Sequence, residues 1–114
     1  MCELKVQIGT AQENRPVAQD IIHALVKPDH VLLKDVLGAT HTIPEALIST
    51  VDIGKELLLL RQSSIVPSFL RFLEALDSVE VNHNYALAEE EWNGLKAKGD
   101  EVVRSLWRKY GRSS

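Results

Sequence analysis

Between Asp29 and Leu60 the chain cannot sustain a helix. Its apolar runs, Val31 to Leu33, Ile48 to Ile53 and Leu57 to Leu60, are cut apart by Gly38, Pro44 and Gly54. Each run is about strand length, too short to hold a helix. Asp29-His30 and Gly54-Lys55 fall where tight turns between strands belong. The stretch therefore predicts a small antiparallel meander, and the rest of the chain must close it or lie against it.

Upstream, Cys2, Leu4, Val6 and Ile8 alternate with Glu3, Lys5 and Gln7. A period of two predicts a half-buried strand ended by Gly9, followed by a polar hairpin-like loop from Thr10 to Pro16. Val17 to Val26 fits either element. Ala18, Ala24 and Leu25 favour helix, whereas Ile22, Val26 and the nearby Pro28 favour strand. Because sequential strands tend to pair, the strand reading is taken. Val31 to Val36, Thr40 to Ile43 (stopped by Pro44), Ala46 to Ile53 and Leu57 to Leu60 complete the set. Five or six short strands in about 60 residues suggest a small closed barrel, since closure removes exposed edges.

The pattern changes after Arg61. Residues 63–114 are expected to be a helical extension of a barrel at 1–62. A short helix is predicted over about 67–77, begun by Pro67 and Ser68, with Phe69, Phe72, Leu73 and Leu76 on one face. A longer one follows over about 86–110. Glu89, Glu90 and Glu91 stand near its start and Arg104, Arg108 and Lys109 near its end, as the helix dipole favours. Trp92, Leu95, Val102, Val103, Leu106, Trp107 and Tyr110 form its apolar stripe, with Gly99 as the weak point. Such a stripe is expected to bury against the parent fold or a second copy. The expected class is thus α+β: a small antiparallel β-barrel with a C-terminal helical segment.

Charge and cysteine usage narrow the function. With 114 residues and 45% hydrophobic content, the chain supplies one modest core, and a β-unit of this size benefits from a dimer interface or a packed helix. A net charge of −3 gives no basic field for nucleic acid or anionic membrane. No apolar run approaches the roughly 20 residues that span a bilayer, and the first residues lack the pattern of a secretory signal. One cysteine excludes an intrachain disulfide framework. The expected setting is the cytoplasm.

Cys2 is the most pointed chemical signal. Removal of Met1 would leave a free amine and a thiol on one residue, an N,S chelate suited to nickel(II) or copper(II). One such residue cannot complete a site, but two meeting on a two-fold axis would. The alternative is a small buried hydrophobe at a strand start, as most free cysteines are. His23, His30, His41 and His83 show no metal-ligand spacing. His30 and His83 read as turn or surface residues, and strand pairing could bring His23 towards His41. Ser49, Ser63 and Ser64 lack a nucleophile elbow, Asp52 and Glu56 straddle a turn, and no glycine-rich phosphate cradle exists. The expectation is a protein that is not an enzyme.

Nucleic-acid binding has little support. Small barrels that bind single strands combine basic grooves with aromatic platforms. Here all six aromatic residues, Phe69, Phe72, Tyr85, Trp92, Trp107 and Tyr110, follow residue 68. In residues 1–62 acidic side chains slightly outnumber basic ones. The basic cluster of Lys96, Lys98, Arg104, Arg108, Lys109 and Arg112 has dipole complementation and solubility as its simplest role.

Met1-Cys2, Asp20-Ile21-Ile22, the segment from His30 to Pro44 and that from Ile48 to Leu60 together resemble the CooT family of small nickel-binding proteins. The matching features are Met-Cys, the Asp35-Val36-Leu37-Gly38 turn, Ile48 to Asp52 and the closing strand Leu57 to Leu60. The resemblance implies an SH3-like β-barrel, a homodimer and nickel held through Cys2. It also implies an accessory role towards a client metalloenzyme of the carbon monoxide dehydrogenase type. Many relatives of that family carry an RNA-binding label, so an RNA-binding or protein-interaction module without metal is the rival. Residues 10–28 are less typical of the family. The extension, absent from minimal members, would cap the barrel, extend a dimer interface or recruit a client.

Overall fold

A computed structural model describes residues 3–10 and 12–111. Six strands come first: β1 (Leu4–Gly9), β2 (Asn14–Val26), β3 (His30–Asp35), β4 (Thr40–Pro44), β5 (Ala46–Asp52) and β6 (Leu57–Gln62). Two helices follow, α1 (Val66–Asn82) and α2 (Tyr85–Tyr110). The α+β expectation therefore holds. The chain forms two compact units, Met1–Val66 and Pro67–Ser114.

The strands make one curled sheet in the order β4-β3-β2-β1-β6-β5. Neighbours pair antiparallel, as the meander predicts, except β1 and β6, which run parallel with Lys5 beside Leu57 and Ile8 beside Leu60. The exception follows from connectivity. Glu45 leads directly from one edge strand, β4, to the other, β5, and β5 and β6 then form a hairpin with β6 against β1. The ambiguous segment is a strand, and β2 starts earlier than expected, at Asn14. Thr10 makes this possible by closing a tight turn, its N–H donating to the Glu13 carbonyl at 2.8 Å.

Among the described residues no ladder joins β4 to β5, so the sheet is a half-barrel and not the closed barrel that the strand count suggests. The physical reason lies in their connection. Only Glu45 separates the two strands, in the left-handed region at φ 52°, which turns the chain sharply but leaves no room for a hairpin. Its backbone spans the seam instead, donating to the Asp29 carbonyl at 2.9 Å and accepting from Ser63 at 3.0 Å. Register shifts in the β1–β2, β2–β3 and β5–β6 pairs supply the bends that curl the sheet.

The core of this unit is wholly aliphatic: Val6, Ile8, Ile21, Val31, Leu33, Ala46, Leu58 and Leu60. Period two explains the selection, because alternate residues of β1, β3 and β6 face inward. Among the described residues no polar or charged side chain is buried. Each large core side chain contributes about 1.5–3 kcal/mol by leaving water, an upper estimate.

In the helical unit, α1 continues past Asp77-Ser78, where a stop is expected, and ends at Asn82. The helix runs on until His83 takes φ 57° and donates its backbone N–H to the Val79 carbonyl at 3.0 Å. Asn84 then caps α2, its side-chain oxygen accepting from Leu87 N–H at 3.2 Å. The first turn of α2 holds no acidic residue. Glu89 to Glu91 sit one turn further in than the dipole argument places them, whereas Arg108 and Lys109 do occupy the last turn. Phe72 and Trp92 meet at 5.3 Å between ring centroids and join the two helices.

Candidate functional site

Cys2, the residue singled out for metal, lies outside the described residues; the sheet end that follows it is well defined. β1 starts at Leu4 between β2 and β6, with Leu4 opposite Ile21 and Lys5 beside Leu57. Ile21 is in turn opposite Asp35, and Leu57 opposite Asp52. The beginning of β1 therefore shares one end of the sheet with the turn after Asp35 and the turn after Asp52.

Asp35 organises the first of these turns. Its Oδ1 accepts from Leu37 N–H at 2.9 Å and Ala39 N–H at 3.0 Å, while Oδ2 lies 3.0 Å from His41 Nε2. Gly38 completes the turn at φ 86°, a conformation costly for a residue with a Cβ. The hydrogen bond with His41, helped by the two backbone N–H groups, holds the Asp35 carboxyl below its ordinary value against a smaller opposing effect of desolvation. Asp52 does a parallel job, with Oδ1 accepting from Lys55 N–H at 3.1 Å. Glu56 then turns the chain at φ 51° and offers its carbonyl to Lys5 N–H at 2.8 Å. The two aspartates that carry the family resemblance are thus turn-holding groups.

Among the described residues no three His, Cys, Asp or Glu side chains gather to hold a metal. Nor do the histidines converge. His23 lies opposite Lys34 and His41 opposite Leu33, so β3 stands between them. His30 opens β3, and His83 links the helices with its ring stacked near Tyr85. Sequence reasoning missed the Asp35–His41 pair. The available signal was an aspartate opening a glycine turn with a histidine just beyond it, six residues on across the hairpin.

Exposed basic residues occur in both units, and the cluster of Lys96, Lys98, Arg104, Arg108 and Lys109 lies on α2. Lys98 reaches Glu101 at 3.4 Å, and Arg112 lies outside the described residues. The apolar stripe of α2 is less covered than expected: the helix has no buried residue, and Trp92, Leu106 and Trp107 are all exposed. A shallow groove on the strand unit, lined by Ile22, His23, Leu32, Lys34 and Thr40, holds no nucleophile activated by a base. No described helix is long and apolar enough to cross a membrane.

The family model for the CO dehydrogenase accessory protein CooT matches residues 1–61. No curated protein matches the chain. Among solved structures, the crystal structure of a protein assigned to CooT from Carboxydothermus hydrogenoformans superposes with a TM-score of 0.51 at 17% identity. The whole of that chain is covered by 55% of this one. At that identity the likeness speaks for the fold of the strand unit.

Proposed function

This chain belongs to the CooT family of CO dehydrogenase accessory proteins, and on that premise we propose that it binds nickel(II) through Cys2 at a homodimer interface and presents it to a client metalloenzyme. The observation that carries the reading is the extent of the family match, which starts at residue 1 and so takes in Met1-Cys2 with the strand unit. The chemistry of the residues supports it. The aspartates at this sheet end are engaged in turns, and no three-donor cluster lies among the described residues. A thiolate with its own amine, doubled by two-fold symmetry, is then the simplest way to reach four soft and borderline donors for nickel. Nickel is cargo here rather than a catalytic group, and the protein acts in the cytoplasm without turnover of its own.

The rival is an RNA-binding or protein-interaction module in which Cys2 is incidental, and the basic end of α2 is its support. The two readings part cleanly. Nickel(II) added to Met-processed protein is expected to give thiolate-to-metal absorbance that disappears in Cys2→Ser and survives removal of Trp107 and its basic neighbours. Absorbance and affinity unchanged in Cys2→Ser would remove the nickel reading and move the function to the helical unit.

A further inference from the structure

The helical unit carries a surface that its own two helices do not cover. α1 and α2 form a hairpin through His83 and Asn84, with Phe72 against Trp92. α2 has 26 residues and α1 has 17. At 1.5 Å per residue, α2 therefore overhangs its neighbour by about 13 Å. The overhang holds three exposed apolar side chains: Val103 at 65%, Leu106 at 51% and Trp107 at 71%. With Trp92 they project within an arc of roughly 100°, the width of a packing stripe. A stripe of that width on a 26-residue helix is a large apolar area to leave in water.

Charge along the hairpin says what covers it. From Phe72 to Leu95 there are six acidic residues, Glu74, Asp77, Glu80, Glu89, Glu90 and Glu91, and no Lys or Arg. From Val102 to Tyr110 there are Arg104, Arg108 and Lys109, and no Asp or Glu. The hairpin is thus acidic where the helices join and basic on the overhang. A parallel copy would set acid against acid and base against base. An antiparallel copy sets the basic overhang of each chain along the acidic end of the other, and does so twice by symmetry. The same arrangement brings Val103 and Leu106 of one copy towards Trp92 of the other, with Gly99 near the axis, where a missing side chain lets the backbones approach.

We propose that α2 is a self-association helix that pairs antiparallel with α2 of a second copy, through the Trp92, Val103, Leu106 and Trp107 face and the reciprocal charge of its two ends. This interface is separate from the nickel reading, and its test is made without metal in the full chain carrying Cys2→Ser. Sedimentation equilibrium is the readout. The Cys2→Ser parent is expected to associate. Trp107→Asp, at an exposed position, is expected to halve its mass. An acidic variant (Arg104→Glu, Arg108→Glu, Lys109→Glu) and a basic variant (Glu89→Lys, Glu90→Lys, Glu91→Lys) are each expected to halve it alone. An equimolar mixture of the two restores the parent's mass, because acid meets base along the whole helix. A parent already at the mass of one chain would overturn the proposal and leave the overhang to an acidic protein or RNA. So would a mass that Trp107→Asp does not move, or charge variants that fail to recover on mixing.

Discussion

The two units of this chain draw on different apolar residues and bury them to different degrees. The strand unit has no aromatic residue, and its eight core side chains are Val, Ile, Leu and Ala turned inward by alternation. The helical unit holds all six aromatics, yet α2 buries none of its residues. The first unit closes an aliphatic core while leaving Leu37, Val51 and Ile53 exposed, whereas the apolar stripe of α2 has no buried residue at all. Small branched side chains fill a tightly curled sheet, where a ring would overpack. Large rings suit a surface, where area per residue decides how well a partner is held. The contrast separates a unit with an aliphatic core from a helix whose apolar stripe has no buried residue.

The sharpest way to break this comparison is truncation in each unit. Leu33 is 0% exposed, and Leu33→Ala is expected to cost about 2–5 kcal/mol, read as a lower urea midpoint. Trp107→Ala removes a larger side chain, but from an exposed site, and should change monomer stability by less than about 0.5 kcal/mol. Equal losses at the two positions would mean that the helical stripe is core after all.

Asp35 sharpens the comparison through pH. Its folded carboxyl lies below its ordinary value, so the stability it contributes is fully present above about pH 4, the ordinary carboxylate range. That contribution is lost as pH falls through the lower folded value. Asp35→Asn is therefore expected to lower the unfolding midpoint at pH 7, with the gap from the unmodified protein closing below about pH 4. A gap constant across this range would contradict the role given to the His41 hydrogen bond.

Smaller effects belong to single turns. Gly38→Ala places a Cβ at φ 86° with open space around it, so the cost is backbone strain alone, about 1 kcal/mol. Asn84→Ala removes the oxygen that accepts from Leu87 N–H, and is expected to cost about 0.5–1 kcal/mol of helix stability, read by circular dichroism on heating.

Much of the fold is legible in the chain because alternation and breakers are local signals. Val31 and Leu33, or Leu58 and Leu60, announce an inward face by spacing alone. What the chain does not announce is non-local. The parallel β1–β6 pair depends on where the chain crosses after Glu45, and no residue of Lys5 to Ile8 encodes it. The half-barrel follows from one residue between β4 and β5, a count that reads equally well as a turn. Asp35 and His41 meet only because the hairpin after Asp35 has four residues, Val36 to Ala39. The length of α1 is not legible either, since Asp77 and Ser78 favour caps and turns but do not force a helix to stop. The metal expectation for Cys2 rests on residue type and position, and Cys2 lies outside the described residues.

The most direct test of the account is a count of nickel per chain by equilibrium dialysis, on Met-processed protein beside Cys2→Ser, with mass measured in the same samples. The account predicts one nickel ion for each pair of chains and none held by Cys2→Ser. Equal loading of the two proteins, or one ion bound by each isolated chain, would contradict it.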